Sequence, residues 1–149
     1  MTVYEKIKEV VLSYEPNANV YLGRKDFANL ESNETSEIFV FVDIENRSSE
    51  RITDKAKFFA DETFVILFLH KDSIDNNDGT KAALIDDMKL LARQTIGQMF
   101  LSSDIVWSNT SELRFSIVPV LDVLSGYFIG ASISVTIPQQ LFISFCKPI

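Results

Sequence analysis

Hydrophobic positions recur at helical spacing over one long stretch of the chain, Thr80 to Leu101. Leu84, Met88, Leu91, Ala92, Thr95 and Met99 fall on one face, flanked by Ile85 and Ile96, while Asp86, Asp87, Lys89, Arg93 and Gln94 fall mostly elsewhere. Thr80 follows the Asp78-Gly79 turn and is the expected N-cap. A face this long, about six turns, needs a broad apolar partner, and the rest of the chain supplies one as strands.

Ahead of it, Thr2 to Tyr14 reads as a first helix. Thr2 and Glu5 form a capping-box pair, Val3, Ile7, Val10, Val11 and Tyr14 make the apolar stripe, and Pro16 ends it. Val20 to Leu22 is a short extended segment stopped by Gly23. Arg24 to Asn33 reads as loop, with room for one helical turn around Phe27 and Leu30. Glu37 to Asn46 is a strand, with Phe39 and Phe41 on one side and Ile38, Val40, Val42 and Ile44 on the other. Arg47 to Glu50 reads as a polar connection. Arg51 to Phe59 reads as an extended segment able to pair with the strand before it. Glu62 to Lys71 contains Phe64 to Leu69 without interruption, which suits the middle of a sheet covered on both sides.

After the long helix, Leu113 to Val120 reads as a strand whose Pro119 puts it at an edge, and Leu121 to Gly126 as a turn. Tyr127 to Pro138 alternates most clearly. Tyr127, Ile129, Ala131, Ile133, Val135 and Ile137 oppose Phe128, Gly130, Ser132, Ser134 and Thr136. The two strands make an antiparallel hairpin. The predicted core packs Leu84, Met88, Leu91 and Met99 on Ile129, Ile133, Val135, Val65 and Leu67. The fold class is therefore α+β: an antiparallel or mixed sheet packed against one long helix and an N-terminal helix, one domain over residues 1–149 with an apolar tail at 139–149. That tail, with Phe39 and Phe41, exceeds what two helices cover. The candidate interface between copies is Phe39, Phe41, Leu141, Phe142 and Phe145.

Composition adds exclusions. With 149 residues the chain is long enough to bury about 68–70% of its unfolded surface without staples. The net charge of −7 argues against sequence-specific nucleic-acid binding but permits a conduit through which DNA passes without sticking. One cysteine, Cys146, excludes an intrachain disulfide and fits a reducing cytoplasm. The N-terminus lacks the features of a signal peptide, and no apolar run reaches the roughly 18–20 residues of a membrane helix.

Candidate chemistry is sparse. Asp72, Asp75, Asn76, Asn77 and Asp78 are oxygen-rich, but Ile74 and Ile85 stand where a calcium loop needs acidic ligands, so a solvated turn is expected. His70 and Cys146 have no partner that spacing identifies. No serine sits in a nucleophile elbow, and the five glycines form no phosphate loop. Trp107, Phe100 and Tyr127 could stack bases, but no Lys or Arg flanks them, so core packing is expected. No catalytic residue, cofactor or metal is expected.

The order of elements, with Asn77 to Leu101 as the long helix and Asp122-Val123-Leu124-Ser125-Gly126 announcing the last alternating strand, resembles the small tail-completion proteins of tailed bacteriophages, including tail terminators. The resemblance spans Val3 to Pro138. It implies a non-enzymatic virion subunit, assembled in the host cytoplasm, that forms a hexameric ring on the tail tube. Its partners would be further copies of itself, the tail tube protein and a head connector or portal-associated protein, with no membrane. Another connector, baseplate or assembly module is the alternative. A hotdog-like thioesterase, with Asp75 or Asp78 as its acid, is a third.

Overall fold

Strand β3 (Phe58–Lys71) is the spine of the sheet, hydrogen-bonded along both edges as its uninterrupted apolar run requires. A computed structural model describes residues 2–23, 37–73, 75–108, 111–123 and 128–143. Along the chain these form α1 (Val3–Tyr14), β1 (Asn19–Leu22), β2 (Ile38–Ile52), β3, α2 (Asp78–Leu101), β4 (Phe115–Val123) and β5 (Phe128–Leu141). The strands make one mixed sheet in the order β1-β2-β3-β5-β4. Only β1 and β2 are parallel; the other three pairings are antiparallel. The fold is α+β, with α2 and α1 against the sheet.

Both helices share one face. Met88, Leu91, Ala92, Ile96 and Met99 of α2 and Ile7, Val10 and Val11 of α1 pack on Val40, Val42, Phe64, Ile66, Phe68, Ala131, Ile133, Val135 and Ile137. Thr95 is fully buried there because its hydroxyl donates to the Leu91 carbonyl (2.8 Å), which removes the cost of an orphaned polar group. Leu84 is only half-buried. The expected α2 stripe and the β5 residues Ile133 and Val135 hold, and Ile129 is also fully buried. The β3 residues do not. Val65 and Leu67 face away from the helices, and Leu67 joins Phe39, Phe41, Leu69 and Phe128 in a second cluster on the opposite face. A strand apolar at every position carries no parity of its own. The pairings Val42↔Ile66 and Ile66↔Ile133 fix it instead.

Thr2 caps α1, accepting from the Glu5 N–H (3.1 Å), while the Glu5 carboxylate accepts from the Thr2 N–H (2.8 Å), the expected capping box. The N-cap of α2 is Asn77 instead of Thr80: its side-chain oxygen accepts from the Thr80 N–H (2.8 Å). Both residue types cap well, and the extended backbone at Asn77 decides between them. The expected connection at Arg47–Glu50 is also corrected. β2 continues to Ile52, past a register irregularity between Ile44 and Ser48, and turns at Thr53–Lys57. β4 likewise extends through Leu121–Val123, where a turn was expected, and lies at the sheet edge as Pro119 implied. Arg24–Asn33, Tyr127 and Cys146 lie outside the described residues.

Candidate functional site

The oxygen-rich loop before α2 is built around one buried acid. The Asp72 side chain is 1% exposed; it accepts from the Lys81 ammonium and from Asn76 Nδ2 (2.8 Å). Burial alone pushes the Asp72 carboxyl up. The hydrogen bonds from Lys81, Asn76 and the Ser73 backbone outweigh it, and the group sits below the usual carboxylate range. Asp75 and Asp78 remain exposed. The loop is thus a clasp between β3 and α2, with its acid already neutralised by a lysine.

His70 Nδ1 donates to the Lys71 carbonyl (2.7 Å), and its Nε2 stands 3.7 Å from the exposed Glu37 carboxylate. No nucleophile stands with that pair in any described contact, so the geometry of a catalytic triad is missing among the described residues. Among those residues no three His, Cys, Asp or Glu side chains group closely enough to hold a metal ion. Trp107 packs edge-on against Phe100 at 5.2 Å, so its ring is used in packing, and its backbone bridges to Gln139. A cleft between α1 and the end of α2 contains Lys6, but its ammonium is bound to Glu9 (3.0 Å) and Asp104 (2.9 Å) and has no charge to spare for an anion. No helix among the described residues is long and apolar enough to cross a membrane.

Exposed apolar side chains gather at the far end of the sheet. There β2, β3 and β5 run on as a three-stranded arm, paired through Ile52↔Phe58 and Phe58↔Leu141. The cluster beneath the helices ends on β5 at Ile137. Past it, Ile52 is 56%, Phe142 78% and Ile143 48% exposed. Lys57, Gln140, Leu141, Phe142 and Ile143 line an open groove at the arm end. Arg51 lies 4.3 Å over the Phe59 ring, on the face of the arm opposite Ile52.

Of the expected interface residues, Leu141 and Phe142 belong to this arm end, and Phe145 lies outside the described residues. Phe39 and Phe41 do not belong to it. Both are fully buried within the single chain, where Phe41 stacks on Tyr21 (5.3 Å) and Phe39 meets Phe128 edge-on (5.4 Å). They are already out of water in the single chain, without another copy. Ile52 was missed. It lies in a segment read as extended, but polar neighbours Ser48 to Arg51 hid its place at a strand end. Comparison with known family models and with curated proteins finds no match for this chain.

Proposed function

We propose that the chain is a non-enzymatic structural subunit of a phage tail, which assembles as a ring at the end of the tail tube and joins it to the head connector. The observation that carries this reading is the arm end: Phe142 and Ile143 are exposed beside one open groove just past β5, and Ile52 is exposed at the end of β2 on the same three-stranded extension. A soluble chain rarely leaves grouped large side chains in water without a partner. The order on which the resemblance rests (helix, strands, long helix, hairpin) is also the order of the folded elements. Among the described residues, Asp72 is paired with Lys81 and His70 donates to the Lys71 carbonyl. A net charge of −7 suits a conduit for DNA, because it repels phosphate.

The test is to add purified protein to polymerising tail tubes and image the products by negative stain. The reading expects rings seated on tube ends and tubes that stop growing. Tubes that elongate normally, with no protein bound at their ends, would contradict it.

A further inference from the structure

The two outer strands of the sheet match each other in direction and in height. β1 runs parallel to β2, and three successive antiparallel pairings lead from β2 to β4, so β1 and β4 run in opposite directions. Register places them level. Tyr21 pairs through Phe41, Leu67 and Ser132 to Val118, and Leu22 pairs through Val42, Ile66 and Ile133 to Ile117. Among the described residues no strand lies outside either edge. The Tyr4 hydroxyl donates to the Val20 carbonyl (3.3 Å), one group of the β1 edge.

Natural sheets block open edges with charges, especially lysine, and also with short strands, proline and bulges. Of these devices the edges carry the short β1, Pro119 and the irregularity between Val120 and Val123, but no charge at the apolar positions that face a partner. The β4 stretch Phe115–Leu121 carries no charge, and its Val118 and Leu121 are 57% and 60% exposed. On β1, Leu22 is 52% exposed. By the same register Pro119 stands level with Val20, so it withholds one N–H donor inside the pairing, opposite the carbonyl that already accepts from Tyr4.

We propose that β4 of one copy pairs antiparallel with β1 of the next, continuing the sheet from subunit to subunit. The occupant is a second copy of this chain because its own opposite edge has the required direction, level and apolar surface. A rotation about an axis near the strand direction brings the two edges together with little sliding. Such a contact is heterologous, so each copy uses both edges and repetition closes a ring when the rotation closes. The inference rests on the ring reading above and adds a sheet-edge contact between copies to the arm-end surface on which that reading stands.

The test uses two full-length variants, Leu22→Arg and Val118→Arg, both at more than half-exposed positions, with circular dichroism as the folding control. Ser116→Arg, on the same exposed edge, replaces Val118→Arg if that variant unfolds. Wild type should sediment as a ring and each variant alone as a monomer. An equal mixture should stop at a dimer, because one intact β1 edge and one intact β4 edge remain. Rings that persist in both variants would overturn the edge contact and leave the tail-tube reading standing. Loss of association in Val118→Arg with full association in Leu22→Arg would also overturn it, since that pattern marks β4 pairing with itself. A wild-type monomer that still caps tail tubes overturns the edge contact alone. A wild-type monomer that ignores them overturns both.

Discussion

Asp72 and Lys81 join the last residues of the central strand to the first turn of the long helix, the carboxylate 1% and the lysine side chain 23% exposed. A charge so enclosed depends on its partner, and removing that partner leaves it desolvated and unpaired. Lys81→Met should therefore destabilise the chain by about 2 kcal/mol, read as a lower urea midpoint with an unchanged m-value. An unchanged midpoint would show the clasp to be idle.

The same clasp sets a pH dependence. The folded Asp72 carboxyl titrates below its unfolded value, so its contribution is fully present above the ordinary aspartate range. It is lost as pH falls through the lowered folded value. Lys6 titrates the other way: hydrogen bonds from its ammonium to Asp104 and then Glu9 raise it, so its contribution is present below the ordinary lysine range and disappears only as pH rises through the raised value. Midpoints measured against pH should show Asp72→Asn flattening the acid limb and leaving the alkaline limb alone.

Gly130 has no room for a side chain. A Cβ there would stand 1.9 Å from the Phe68 carbonyl oxygen, which belongs to the backbone of the neighbouring strand. Gly130→Ala must push β5 from β3, the most extensive pairing of the sheet. We expect little soluble protein, or a loss of about 3 kcal/mol or more as in other overpacked cores. A variant of wild-type melting temperature would refute this.

Ala56, in the β2–β3 turn, has a φ of +56°, where a Cβ is strained. Ala56→Gly should raise stability by about 0.5–1 kcal/mol, measured by thermal or denaturant unfolding. It is a conservative check on the arm's position, since a different turn would lose the gain.

Ile133 is fully buried beneath the helices, whereas Ser134, next along β5, is exposed on the other face. Ile133→Asp should cost about 3–5 kcal/mol and Ser134→Asp far less. Equal denaturation midpoints would contradict the register of β5.

These contrasts also show what sequence could and could not reveal. The α1 capping box, the α2 stripe, the alternation of β5 and the edge position of β4 were legible because each has a local chemical cause in Thr2/Glu5, in helical spacing, in Ile/Ser alternation and in Pro119. The facing of Val65 and Leu67 was not, because an apolar run has no parity until its neighbours impose one. Phe39 and Phe41 looked surplus for the same reason: the second-face cluster that buries them exists only after β2, β3 and β5 align. The arm was hidden by Arg47 to Glu50, whose polarity resembles a loop. Asp72 could not be singled out from four neighbouring acids and amides, since burial selects it and burial is not local.

The measurement closest to the central claim is the mass of the wild-type chain in solution, by light scattering or native mass spectrometry, across a wide concentration range. The account predicts a closed assembly, six times the 16.9 kDa chain by the phage resemblance, that falls toward monomer in Phe142→Asp while far-UV circular dichroism is unchanged. A 16.9 kDa monomer at every concentration, with no affinity for tail tubes, would contradict it.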